Sequence, residues 1–367
     1  MVRSGLRASG TIMLPGWRKR AGWLAALGLA FGTLCFSQTA EIPDQETTIR
    51  VDVRLVRILA TVKDLAGNAI GTLGKEAFTV RDNGAVQTIS VFEHQTEQPL
   101  NVAILIDNSG STAKDLKYET ESVTRFVKAL FREGNPEDQA ALYSFSLDTV
   151  LQQRFTRSVG AIERPLRNLR SDTGTSLYDA VLLASRDIQD RPGRRILVVV
   201  TDGGDTTSKS DFNRAVEAAQ LADVVIYPIL VVPIANDAGR NTGGENALTT
   251  FALRTGGRVF VPTLGAGMDR AFDDILKDLR TQYLLGFYPR DVPLTTNRFH
   301  TLEISAAPPG LRVLARNGYY GEVAQGSLPP PPGSSARIRV APGDETLRLP
   351  KKVPPVPPAR KPTKKGP

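Results

Sequence analysis

An acid and two hydroxyls stand at alternate positions in Asp107-x-Ser109-x-Ser111, with Gly110 between the serines. Oxygen donors at that spacing suit a hard divalent cation. Mg²⁺ takes such ligands and leaves several positions for water or substrate. Two further segments offer the same chemistry. Ser171-Asp-Thr-Gly174-Thr175 presents a threonine hydroxyl at a loop-to-helix junction. Thr201-Asp202-Gly203-Gly204-Asp205 presents a second acid, followed by glycines that permit close backbone approach.

One ion can use all five side chains only if the fold brings the three segments together. Leu100–Asp107 and residues 195–202 are apolar runs that end in an acid, and they read as strands buried on both faces of a parallel sheet. A helix is expected at 113–131, where Leu116, Val123, Phe126, Val127 and Leu130 recur on one face. Further strands are expected at 139–144, 150–155, 224–232 and 257–261, and helices at 159–169, 176–189, 211–222, 247–255 and 268–282. Ser176 with Asp179 reads as a capping box. The alternation gives an α/β fold with a doubly wound, mostly parallel sheet, and such sheets bind ligands at the carboxyl ends of their strands. There Asp107 and Asp202 can face one another. The strand at 150–155 follows its predecessor too closely for a crossover and is expected to be an antiparallel edge.

Both flanks read as β. Alternation from Ile49 to Leu55 slips phase and resumes from Val56 to Val62, as a bulge or a strand changing sheets would leave. Residues 78–92 read as a hairpin closed by Asn83-Gly84. Strands recur at 283–289, 299–304 and 311–314, before Arg316-Asn-Gly-Tyr-Tyr-Gly321. The expected organisation is a β-sandwich built from residues 49–96 and 283–322, with an α/β domain at 97–282 inserted in it. A Pro/Lys-rich tail follows at 327–367; it holds 12 of the 25 prolines, cannot bury a core and is expected to be disordered or polyproline-like.

The net charge of +8 is terminal. Residues 1–37 carry five basic groups and no acids, and the tail carries a net +7, which leaves −4 for the body. There is no basic body to argue for a nucleic-acid partner, although the tail suits an anionic envelope surface. Trp17-Arg-Lys-Arg20 and the apolar run to Phe36, with small residues near Ser37 to Ala40, read as a signal peptide over 1–40, with Met13 as an alternative start or an uncleaved anchor as the alternative role. The expected location is periplasmic, cell-surface or secreted. The single cysteine, Cys35, leaves with the signal, so no disulfide is expected in the mature chain.

With these segments in place the α/β domain resembles a von Willebrand factor type A domain, a Rossmann-like fold. Asp107-x-Ser109-x-Ser111, Thr175 and Asp202 match its metal-ion-dependent adhesion site. The flanking β segments, Asp202-Gly-Gly-Asp205-Thr and the closing Arg-Asn-Gly-Tyr-Tyr resemble the related proteins abundant in acidobacteria. The resemblance implies that Ser109, Ser111 and Thr175 coordinate Mg²⁺ or Mn²⁺, while Asp107 and Asp202 hold its waters or bind directly in another state. A protein partner's Asp or Glu carboxylate then completes the coordination. Asp172 and Asp205 have no matched role and are expected at the surface or behind the ligands.

Two other readings compete. In one the domain is a spacer in an envelope scaffold, and in the other the chain is a metal-assisted hydrolase. The second lacks its parts. Ser109 stands where a haloacid-type phosphotransferase wants a general acid, His94 and His300 fall in the β flanks away from any serine nucleophile, and there is no Gly-x-x-x-x-Gly-Lys loop.

Overall fold

The computed structural model describes residues 55–94, 98–112, 115–231, 242–263, 265–292, 298–321 and 339–340, all in the compact unit that begins at Asp52. The signal segment, the strand expected before Leu55 and nearly all of the tail lie outside them. The chain enters through β1 (Val56–Lys63), β2 (Phe78–Asp82), β3 (Ala85–Gln87) and β4 (Ile89–His94). Asn83 and Gly84 both take positive φ, 47° and 85°, so the β2–β3 turn is the two-residue hairpin their types favour. The expected hairpin does not run on to Phe92. After Thr88 the chain changes sheets, and β4 pairs with β10 (Tyr283–Phe287) instead.

The α/β domain follows with β5 (Leu100–Asp107), α1 (Leu116–Glu133), β6 (Gln139–Phe145), β7 (Thr149–Thr156), α2 (Val159–Asn168) and α3 (Leu177–Ile188). It continues through β8 (Arg194–Thr201), α4 (Phe212–Leu221), β9 (Val224–Leu230), α5 (Thr242–Thr255) and α6 (Ala266–Thr281). Every β5 residue is buried, and its side chains alternate between two cores. Val102, Ile104 and Ile106 pack with α1, α2 and α6, while Ala103 and Leu105 pack with α3, α4 and α5. Period-two alternation thus sorts one apolar strand between two helical layers. β5 pairs in parallel with β6 on one side and β8 on the other, and β9 extends the sheet beyond β8. β7 is antiparallel to β6, as the short connection requires.

Two expectations are corrected at the sheet edges. Residues 257–261 do not form a strand; only Phe260 bridges to Ile229. Phe260 N–H donates to the Pro228 carbonyl and Leu230 N–H donates to the Phe260 carbonyl, both within 2.9 Å. The next rungs would need amide hydrogens from Pro228 and Pro262, which have none. At the opposite edge, two residues of the tail are ordered after all. Arg339–Val340 form β14, which pairs in parallel with Val150 and Leu151 of β7, and Arg339 meets the Asp148 carboxylate at 3.0 Å.

The remaining strands, β10, β11 (Phe299–Ala306), β12 (Arg312–Ala315) and β13 (Gly318–Tyr320), return to the β module. The two antiparallel sheets run β12-β1-β10-β4 and β13-β11-β2-β3. They share one core, in which Ile58, Val62, Tyr283 and Phe287 of the first meet Phe78, Val80, Leu302 and Tyr319 of the second. Strands from before and after the α/β domain therefore interleave in a single sandwich. No helix among the described residues is long and apolar enough to cross a membrane.

Candidate functional site

Asp107 is the last residue of β5 and is fully buried, with both carboxylate oxygens engaged. Oδ1 accepts the Ser109 amide at 2.9 Å and Oδ2 accepts the Thr201 hydroxyl at 2.6 Å. The second contact follows from register, because β5 and β8 run side by side with Ile106 opposite Val200. The Thr201 hydroxyl also accepts the Gly203 amide at 3.1 Å, so one side chain ties the ends of both central strands together. Burial pushes the Asp107 carboxyl up to about 6, Asp202's charge adds to the rise, and the hydrogen bonds from Thr201 and Ser109 oppose it.

The loop after Asp107 is closed from within. The Thr112 hydroxyl donates to the carbonyls of Asp107 and Ser109, at 2.9 and 3.1 Å, and this leaves the hydroxyls of Ser109 and Ser111 3.0 Å apart. The second loop is fastened to the first. Asp172 N–H donates to the Asn108 carbonyl at 2.9 Å, the Asn108 side chain donates to the Arg170 carbonyl at 2.8 Å, and the Ser171 hydroxyl donates to the Ser109 carbonyl at 3.2 Å. The third is fastened to the second at Thr175, whose amide donates to the Thr206 hydroxyl at 3.0 Å and whose carbonyl accepts the amides of Thr206 and Thr207. Gly174 turns this loop with φ 76°. The three segments that sequence set apart thus meet at the carboxyl edge of β5 and β8. Asp107, Ser109 and Thr175 are buried there, Asp202 is half-buried and Ser111 is exposed, so the cluster has a floor and a solvent-facing mouth.

The glycines after Asp202 serve the scaffold. Gly203, at φ 89°, packs against the backbone of Gly244, where a Cβ would stand 1.7 Å from the Gly203 carbonyl oxygen. That contact accompanies an α5 that begins at Thr242, five residues before its expected start. The capping box at α3 is also corrected. The Ser176 hydroxyl caps nothing, and the Asp179 carboxylate instead accepts the amides of Lys209 and Ser210, both at 2.9 Å. Asp205 works alongside it, accepting the Tyr178 amide at 3.1 Å and the Ser208 hydroxyl at 2.6 Å. Asp172 accepts its neighbour's amide, from Thr173, at 2.7 Å. These acids brace loops.

Sequence reasoning passed over three residues of this cluster: Thr112, Thr201 and Glu119. Glu119 lies on the inner face of α1, fully buried, with no hydrogen-bond partner for either oxygen. Burial pushes its carboxyl up to about 8, and the charges of Asp107, Asp115 and Asp202 act in the same direction. Among the described residues no three His, Cys, Asp or Glu side chains converge as a metal-ligating group; the donors gathered here are mainly hydroxyls. Both histidines belong to the sandwich. The His300 ring meets Asp82 at 3.0 Å, and His94 packs against Tyr283.

Residues 102–204 match the family model of the von Willebrand factor type A domain. A search of the curated proteins found no match. Among solved structures the chain is similar to the conserved hypothetical protein BatB from Bacteroides thetaiotaomicron, at 20% identity over 49% of this chain and 97% of that one, with a TM-score of 0.38. It is similar to the vWF domain of the type V pili tip protein Mfa5 from Porphyromonas gingivalis, at 16% identity over 49% and 94%, with a TM-score of 0.41. It is also similar to the pilus adhesin SpaC from Lactobacillus rhamnosus GG, at 8% identity over 68% and 48%, with a TM-score of 0.43. The family match names the domain and not the narrower acidobacterial group. With its three loops above the two central strands, residues 102–204 are a von Willebrand factor type A domain, and this chain carries it.

Proposed function

We propose that the chain is an exported, metal-dependent protein-binding or adhesion module. The observation that carries this reading is the fixing of Asp107 by Thr201 beside the paired hydroxyls of Ser109 and Ser111. Type A domains typically mediate protein–protein interaction or adhesion. The donor set fits Mg²⁺ or Mn²⁺: every side chain in it offers oxygen, and Glu119 leaves two buried carboxylate oxygens without partners. Ser109, Ser111 and Thr175 would hold the ion through their hydroxyls, and Asp107 and Asp202 would hold its waters. When bound, the ion supplies a Lewis-acidic position for an Asp or Glu carboxylate of a protein partner. Neutral hydroxyls keep that position electrophilic, and the exposed mouth at Ser111 and Asp202 admits the incoming group.

Binding rather than turnover is the proposed output. Both histidines are engaged in the sandwich, so neither serves the cluster as a general base. Calorimetric titration of the full chain with Mg²⁺ or Mn²⁺ tests the site. Binding by the wild type that is lost in Asp107→Ala is expected; no binding by the wild type would remove the proposal. Pull-downs with and without EDTA then separate an adhesive module from an envelope scaffold, whose contacts a chelator leaves intact.

A further inference from the structure

α1 carries an acid where its buried stripe calls for hydrocarbon. Glu119 is three residues after Leu116 and four before Val123, both of them in the core beneath the helix. A buried carboxylate without hydrogen bonds costs several kcal/mol, and a chain retains one where something offsets that cost. No cation among the described residues does so. The charges that act on Glu119 are those of Asp107, Asp115 and Asp202, all acids. The first and last of these belong to the proposed metal cluster, so the helix places a third carboxyl group behind it. The three acids do not converge as one ligating group among the described residues, so Glu119 is not assigned as a direct ligand.

We infer that Glu119 is a positioning residue of the metal site, its carboxylate accepting hydrogen bonds from water bound to the ion that Ser109, Ser111 and Thr175 hold. The inference rests on the proposed metal site and extends it to a residue outside the five-residue motif. Groups that orient metal-bound ligands from behind are worth about 10- to 100-fold in affinity. A third acid also favours retention of the ion before any partner arrives.

The test is calorimetric titration of the full chain with Mg²⁺ and with Mn²⁺, in wild type, Asp107→Ala, Glu119→Gln and Glu119→Asp. Glu119→Gln is expected to weaken metal binding by about 10- to 100-fold without lowering the melting temperature of the metal-free protein at pH 8. Glu119→Asp keeps the charge on a shorter stem and is expected to fall between Glu119→Gln and wild type. With Mn²⁺ bound, oxygen-17 relaxation is expected to report faster exchange of bound water in Glu119→Gln, which a purely structural role would not produce. If wild type binds and Asp107→Ala does not, yet Glu119→Gln keeps wild-type affinity and water exchange, this inference fails and the metal site stands. If Glu119→Gln fails to fold, wild-type affinity in Glu119→Asp overturns the inference. If wild type binds neither metal, both fall together.

Discussion

The Thr201 hydroxyl donates to Asp107 Oδ2 at 2.6 Å, across the two central strands of the sheet. This bond orients the carboxylate at the floor of the cluster and joins the end of β8 to the end of β5. Thr201→Val keeps the shape and removes the donor. It is expected to weaken Mg²⁺ binding by about tenfold, as measured by calorimetry, with strand pairing unchanged by circular dichroism.

Asp179 holds the loop after Asp202 against α3 through two backbone amides. Asp179→Ala leaves the buried Ser210 amide and the neighbouring Lys209 amide without an acceptor, and each such loss costs about 1–3 kcal/mol. Urea unfolding is expected to show a loss of about 2–4 kcal/mol, while Asp179→Asn, which retains an acceptor oxygen, loses less.

Asp278 on α6 is 1% exposed and meets Lys63 Nζ and Arg258 Nε, each at 2.7 Å. Lys63 belongs to β1, so the acid fastens the sandwich to the α/β domain. Asp278→Ala strands a mostly buried lysine and is expected to destabilise the chain by about 3 kcal/mol, the low end for a buried pair because Arg258 reaches solvent. Unfolding by urea measures the loss, and limited proteolysis reports whether the two parts then separate.

The metal-free protein is expected to lose stability as pH rises. In the fold Asp107 ionises at about 6 and Glu119 at about 8, against 3.8 and 4.5 for the free side chains. Between those limits the folded state binds more protons than the unfolded chain, so unfolding becomes easier with increasing pH. The melting temperature in EDTA is expected to fall from about pH 4 to about pH 8. Glu119→Gln removes the part above pH 6 and leaves the part due to Asp107. An equally steep decline above pH 6 in that variant would show that other groups carry it.

Much of this arrangement is legible in the residues. All-apolar runs that end in Asp or Thr-Asp placed two buried strands, and the five-residue motif identified which strand ends to bring together. Other features were hidden because they depend on partners distant in sequence. Pro228 and Pro262 each remove one amide, and together they reduce the strand expected at 257–261 to the single bridge at Phe260. Asp179 sits at a capping-box position, yet its oxygens are taken by amides some thirty residues away. Glu119 did leave a trace: it interrupts the hydrophobic stripe of α1, and an acid on that stripe signals a buried polar role.

Both connections between the sandwich and the α/β domain lie at one end of the parallel sheet. Arg194, at the start of β8, donates to the carbonyls of Gln98 on the way in and Leu279 on the way out. Asp107 is seven residues farther along β5, about 23 Å from that end at the usual rise of a strand. A pull applied at Asp107 would therefore travel down the middle of the sheet and divide between two covalent tethers. Neither tether could be unzipped from a free terminus, so the domain would resist being peeled away under load.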